Sequence, residues 1–71
     1  MCLSDVKINE SCIVENINLP INIQNRLEAL GMTLGSTISV LNSKGDGILI
    51  VKIRGTRFAL GRNITKKILV R

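Results

Sequence analysis

The alternation of apolar and polar residues divides the chain into several short strands and one helix. Ile23, Leu27 and Leu30 follow one another at i, i+4 and i+7, which is the spacing of one apolar face of a helix. Gly31 comes directly after them and suits the left-handed residue that ends a helix. The pattern therefore predicts one short α-helix over about residues 20–30.

The residues after this helix predict a tight turn that leads into a strand. Gly35 offers a second position for a positive φ angle, so the segment Thr33–Ser36 is typical of a turn. Ile38 and Val40 then alternate with polar neighbours, as expected for a half-buried strand over residues 37–41. The helix is therefore expected to pack on a sheet and to lead into the next strand.

Other runs of branched aliphatic residues predict the remaining strands and their turns. Asn9 suits the left-handed residue of an early turn, and Lys44–Gly47 is typical of a hairpin turn in which Asp46 and Gly47 form a type I′ pair. Residues 61–66 are typical of a turn or a single helical turn. The expected strands cover residues 12–17, 37–41, 48–54, 57–60 and 68–70.

The longest predicted hairpin has a two-residue loop of the Gly-X kind at Gly55–Thr56. This loop predicts that Arg54 lies opposite Arg57 and that Ile53 lies opposite Phe58. Large apolar side chains then share one face, so Phe58 is expected to point inward. Two like charges directly opposite each other are unfavourable, and an acidic group from a partner would relieve them.

The other face of this hairpin carries an apolar strip that continues into a basic one. Ile48 and Ile50 share the outward parity of Lys52 and Arg54. Such a strip suits a protein partner. In the alternative interpretation the first or last strand covers both isoleucines and the arginines point into water.

Charge is distributed unevenly over the 71 residues, whose net charge is +5. Residues 1–43 have a net charge of −2, whereas residues 44–71 have a net charge of +7. A positive half suits nucleic acid, anionic lipid or an acidic protein, or is simply a solvated surface. Single-strand binders also need exposed aromatic rings, and Phe58 is the only aromatic residue. The positive charge alone supports the alternative function, which is a small basic barrel that binds nucleic acid through the positive C-terminal half.

The sequence contains no set of residues that indicates catalysis or a resident cofactor. Histidine is absent, and the five carboxylates are scattered along the chain. Cys2 and Cys12, with Asp5 or Glu10, are the only candidate ligands for a soft metal, and their spacing does not indicate a site. We therefore expect two reduced structural thiols, no cofactor and no enzymatic activity. Direct binding of Fe²⁺ stays an open alternative that the ligand spacing does not support.

The length and composition predict a single domain over residues 1–71 with a mainly β fold. The 45% apolar content includes no run near the roughly 20 residues that a membrane span needs. The N-terminus shows no secretory pattern, so the cytoplasm is the expected compartment.

Several motifs, in this order, resemble the FeoA family, the small ferrous iron transport A proteins. The segments that carry the resemblance are Leu3–Asp5, Arg26–Met32, Leu34–Ser36, Ile53–Leu60 and Ile68–Val70. The resemblance implies a small SH3-like antiparallel barrel of about five strands with one short α-helix. It also implies a role in iron homeostasis, with transition metal ion binding as a property at the level of the family.

The same resemblance implies a cytosolic accessory that docks on FeoB, the membrane GTPase that imports Fe²⁺, and that modulates its activity or assembly. Self-association is a further possibility. Leu27 is expected in the core, whereas Met32 is expected either as an exposed contact or as a filler of the core. The expected partner-binding residues lie near the helix end and on the basic hairpin: Glu28, Met32, Leu34, Arg54 and Arg57.

Overall fold

A computed structural model describes all 71 residues as five strands and two helices. The strands form one antiparallel sheet in the order β4-β3-β2-β1-β5, which confirms the predicted mainly β architecture. A 3₁₀ turn at Leu3–Asp5 precedes them. The elements are β1 (Ser11–Ile17), α1 (Ile21–Ala29), β2 (Thr37–Lys44), β3 (Ile48–Ile53), β4 (Thr56–Leu60), α2 (Arg62–Thr65) and β5 (Ile68–Val70).

The core lies against one face of this sheet because buried positions alternate along the strands. In β3 the side chains of Leu49, Val51 and Ile53 are buried, as expected where successive side chains point to opposite faces. The 14 apolar residues of the core are Leu3, Cys12, Val14, Ile17, Leu27, Met32, Ile38, Val40, Leu49, Val51, Ile53, Leu60, Ile68 and Val70.

Helix α1 ends in a Schellman motif, which turns the chain back onto the core. Gly31 has a φ angle of +99°, and its N–H donates to the carbonyl of Glu28 at 2.9 Å. The Met32 N–H donates to the carbonyl of Leu27 at 2.9 Å. This motif brings an apolar residue after the glycine against the last turn of the helix, so Leu27 and Met32 enter the core together. The predicted helix and its glycine stop are confirmed.

The β3–β4 hairpin turns at Arg54–Gly55, one residue earlier than predicted. The φ angles of these two residues are +50° and +82°, and both signs match a type I′ turn. Arg57 therefore pairs with Lys52, and Phe58 pairs with Val51. The predicted Gly55–Thr56 loop and the opposition of the two arginines are wrong.

The hydrophobic pattern could not distinguish the predicted register of the β3–β4 hairpin from the observed one, because both registers place the same residues on the same faces. For each residue of β4, the predicted and the observed partners on β3 lie two residues apart. Side chains two residues apart on a strand point to the same face. The observed turn adds one ladder pair, Ile53 with Thr56, and places a β-branched residue in a strand. Phe58 faces inward in either register, and it packs half-buried against the core as predicted.

The β2–β3 hairpin also differs from the prediction. Lys44 pairs with Ile48, so the loop has three residues, Gly45–Gly47. Both of its glycines have positive φ angles, whereas Asp46 does not. A type I′ pair needs a positive φ angle at both central residues, so the predicted Asp46–Gly47 pair is wrong.

Two smaller predictions are confirmed. Asn9 has a φ angle of +70°, as expected for the left-handed residue of the early turn. Residues 61–66 were predicted as a turn or a single helical turn, and the structure has the second alternative, α2. Neither α1 nor α2 has the length and apolar character that a bilayer-crossing helix needs.

Candidate docking surface

The turn that follows α1 is held rigidly against the sheet. The Ser36 N–H donates to the carbonyl of Thr33 at 3.0 Å, and Gly35, with a φ angle of +87°, occupies the position where such a turn needs glycine. Two further bonds join the turn to β1. The Gly35 N–H donates to the carbonyl of Val14 at 2.8 Å, and the Val14 N–H donates to the carbonyl of Ser36 at 2.9 Å.

Side-chain hydroxyls tie the same turn to the end of α1. The Ser36 hydroxyl donates to the carbonyl of Gly31 at 3.1 Å and accepts the Thr33 N–H at 3.1 Å. The hydroxyl oxygens of Thr33 and Ser36 lie 2.8 Å apart and share a further hydrogen bond. This network leaves the turn little freedom to move.

Leu34 lies at the tip of this turn and is 66% exposed. Single exposed leucines are common on protein surfaces and need no special explanation. This one differs because its backbone is fixed by the hydrogen bonds of its neighbours. A partner that binds it therefore does not have to order a loop first.

Arg54, in the turn of the β3–β4 hairpin, lies beside the turn that carries Leu34. A Cβ atom added to Gly31 would lie 3.0 Å from the Cδ atom of Arg54 and 3.5 Å from its Nε atom. The aliphatic stem of the arginine therefore lies across the glycine at the end of α1, where the helix dipole favours a cation. Arg54 and the turn that carries Leu34 border an open groove of about 380 Å³ that is lined by Thr33, Leu34, Gly35, Ser36, Thr37 and Arg54. We call it the Arg54 groove.

The structure brings together two of the five predicted partner-binding residues, Leu34 and Arg54. Arg57 is exposed on β4, where its opposite neighbour on β3 is Lys52. The unfavourable pair of like charges is therefore Lys52 with Arg57. Glu28 is exposed near the end of α1 but does not line the groove.

Met32 was predicted as an exposed contact or as a core residue, and the structure supports the second alternative. Its side chain is 0% exposed. The prediction of Met32 as a partner-binding residue is therefore wrong for the folded protein, because the Schellman motif directs its side chain inward.

The outward strip of β3 is confirmed. Ile48 is 43% exposed and Ile50 is half-buried, and both share a face with the exposed Lys52. The exposure of Ile48 shows that neither the first nor the last strand covers it. This strip is a second apolar and basic surface.

Sequence reasoning did not find the polar lining of the Arg54 groove. Thr33, Ser36 and Thr37 have the residue types of any turn, so their composition carries no signal of a site. The contact between Gly31 and Arg54 joins residues far apart in the chain, and no local pattern predicts it. The fit of Met32 under α1 did have a signal, since an apolar residue after a helix-ending glycine commonly packs on the helix.

The cysteines and carboxylates do not converge into a metal site. No group of three or more Cys, Asp or Glu side chains in the structure has a metal-binding arrangement. Cys2 and Cys12 are both free thiols. Cys12 is buried, its thiol faces the carbonyl of Ile38 at 3.7 Å, and burial raises its pKa above the usual range of a thiol.

We expect iodoacetamide at about pH 8 to alkylate Cys2 at least about tenfold faster than Cys12, because the thiolate is the reactive form and burial suppresses it. Mass spectrometry of the native protein over time measures both rates. Full denaturation should make the two rates similar. Equal rates in the native protein would contradict the burial of Cys12.

The same raised pKa has a consequence for stability at alkaline pH. The folded state holds the Cys12 proton more tightly than the unfolded chain does. The contribution of this thiol to the free energy of unfolding is therefore constant below the usual thiol pKa and decreases as the pH rises above it.

Comparison with known proteins identifies the family. The model of the FeoA domain matches residues 1–71. The chain belongs to the FeoA family. A Methanocaldococcus jannaschii protein that carries the name Fe(2+) transport protein A is 31% identical over 68 residues, which are 96% of this chain and 82% of the relative.

Solved FeoA structures share the fold. An FeoA crystal structure described as an iron uptake regulatory protein is 35% identical, with a TM-score of 0.89 over 100% of this chain and 95% of the other. FeoA from Stenotrophomonas maltophilia, solved with zinc, is 32% identical, with a TM-score of 0.84 over 100% of this chain and 89% of the other. That protein is described as a prokaryotic SH3 domain protein. The predicted SH3-like fold and the family are thus confirmed, and the family links this chain to ferrous iron transport.

Proposed function

We propose that this FeoA protein is a cytoplasmic, non-enzymatic accessory of ferrous iron uptake that acts as one domain over residues 1–71. It docks on the cytoplasmic part of a FeoB-type membrane GTPase and modulates the activity or assembly of the transporter. Membership of the FeoA family supports the pathway. The description of the Stenotrophomonas maltophilia relative as a proposed activating factor for ferrous iron transport supports the accessory role.

The observation that carries this proposal is the rigid presentation of Leu34. Its side chain is 66% exposed on a turn that is bonded to both β1 and the end of α1. An apolar side chain fixed in water suits a protein interface, because its burial by a partner releases that surface from water at little entropic cost. Charged positions are supplied by Arg54 beside this anchor, by Arg57 on β4 and by Glu28 on α1.

We expect Leu34→Asp to weaken binding to the cytoplasmic region of the FeoB protein from the same organism by about tenfold or more, because it places a charge at a desolvated anchor. Isothermal titration calorimetry measures the Kd. The circular dichroism spectrum and thermal midpoint of the variant should match those of the wild type, since Leu34 makes no core contact.

Ile21→Asp is the matched control for this experiment. Ile21 is 68% exposed, close to the 66% of Leu34, but it lies at the start of α1, where a carboxylate is favourable. This variant should bind as the wild type does. Equal losses in both variants would remove the special role of Leu34, and no binding by the wild-type protein would overturn the proposed function.

A further inference from the structure

Arg54 is a cation that the fold positions without giving it an internal partner. No lysine or arginine side chain forms a hydrogen bond in the structure. Most exposed arginines in such a situation move freely in water. Arg54 has a neighbour that limits its stem, because its Cδ atom lies 3.0 Å from the place that a Cβ atom of residue 31 would occupy.

The backbone of Arg54 is also held in an unusual conformation. Its φ angle of +50° is one of only two positive values at non-glycine residues in the chain. The first position of a type I′ turn usually carries Asn, Asp or Gly, which adopt this conformation at a lower cost than other residues. Strained residues of this kind concentrate at sites that bind ligands.

The groove beside the guanidinium is lined by groups that can donate hydrogen bonds. The Ser36 hydroxyl donates to the carbonyl of Gly31 and the Thr33 hydroxyl donates to Ser36. Thr37 therefore supplies the free hydroxyl of the lining, which contains no carboxylate. The Leu34 N–H donates to no acceptor within the fold. A planar guanidinium with neighbouring hydroxyl and amide donors matches the geometry of a carboxylate.

We infer that the Arg54 groove binds the carboxylate of an Asp or Glu side chain on the protein partner, with an apolar residue of the same segment seated on Leu34. This inference rests on the proposed docking function and names the chemistry of the docked segment. Recognition then combines one charge-assisted pair with one apolar contact. The pair selects the partner, and the apolar contact supplies affinity.

The apolar neighbours favour a protein carboxylate over a free phosphate. Leu34 is 66% exposed, and Leu30, directly before Gly31, is 43% exposed. Inorganic phosphate bound to Arg54 would leave both leucines in water, whereas a peptide segment would cover them. The positive C-terminal half, with its net charge of +7, also attracts an acidic surface.

The test compares Arg54→Glu and Arg54→Lys in calorimetric titrations with the same FeoB cytoplasmic region. We expect Arg54→Glu to raise the Kd by about tenfold to a hundredfold, because it places two carboxylates together. Arg54→Lys should raise it by about threefold to tenfold, since lysine keeps the charge but loses the planar fork. Lys66→Glu is the charge-matched control. It makes the same change in net charge at an exposed residue beyond α2 and should change the Kd by less than about twofold.

A charge reversal on the partner completes the test. Each acidic residue of the FeoB region is changed in turn to lysine, and one such change should restore binding to Arg54→Glu. Wild-type binding with no effect of Arg54→Glu would overturn the carboxylate site while leaving docking intact. Equal losses in Arg54→Glu and Lys66→Glu would also overturn it, since net charge would then explain both. If millimolar inorganic phosphate shifts the amide NMR signals of residues 33–37 and partner binding leaves them unchanged, the groove is a free-anion site and the inference fails.

Discussion

Met32→Ala is expected to lower the free energy of unfolding by about 2–5 kcal/mol, because it removes a fully buried side chain and leaves a cavity. A chain of 71 residues has a total stability on the order of 4–10 kcal/mol. The variant should therefore lose on the order of half of the stability of the wild type. Urea denaturation followed by far-ultraviolet circular dichroism measures the change, since the chain contains no tryptophan.

Leu34→Ala is the control for this prediction. Leu34 lies two residues further along the chain but is 66% exposed, so its truncation should change the unfolding free energy by less than about 0.5 kcal/mol. The pair separates folding from docking at the end of α1. A Met32→Ala variant as stable as the wild type would show that this side chain does not contribute to the core.

Gly31→Val is expected to destabilise the protein by about 2–4 kcal/mol. A β-branched residue is a severe outlier at a φ angle of +99°, and the left-handed conformation alone costs about 1–2 kcal/mol for an L-residue. The new side chain would also meet the stem of Arg54, which lies 3.0 Å from the Cβ position. This contact adds about 0.5–1 kcal/mol, because the exposed arginine side chain can move aside at a modest rotamer cost. Urea denaturation measures the sum.

Gly35→Val is matched to it, because Gly35 has a φ angle of +87° but no atom within 4 Å of its Cβ position. It should show the backbone cost without the contact, and so should destabilise less. The contact with Arg54 is isolated by a double-mutant cycle of Gly31→Val with Arg54→Ala. We expect a coupling of about 0.5–1 kcal/mol. Strict additivity would indicate that the arginine stem does not rest on the glycine.

Local patterns predicted the elements that depend on neighbouring residues. Gly31 and Gly35 were recognised as turn residues because glycine adopts positive φ angles without steric cost, and both have them. The spacing of Ile23 and Leu27 located α1 to within about a residue of its observed bounds. The family resemblance then supplied the SH3-like arrangement, which the comparison with FeoA structures confirmed.

The hydrophobic pattern could not determine the register of the β3–β4 hairpin. A shift of two residues keeps Phe58 and Val51 on the inner face, so the same pattern fits both turns. Turn geometry decided between them, at the expense of a strained Arg54. The consequence is functional, because this turn places the arginine against the end of α1 rather than opposite Arg57.

By itself, the sequence determined the mainly β fold, the single substantial helix, its glycine stop and the inward direction of Phe58, because periodicity and backbone freedom are local properties. Only the tertiary structure decided that Leu34 stands exposed on a fixed turn and that Arg54 joins it at one groove. These depend on contacts between segments distant in the chain, and the energies of such contacts leave no periodic trace in the sequence.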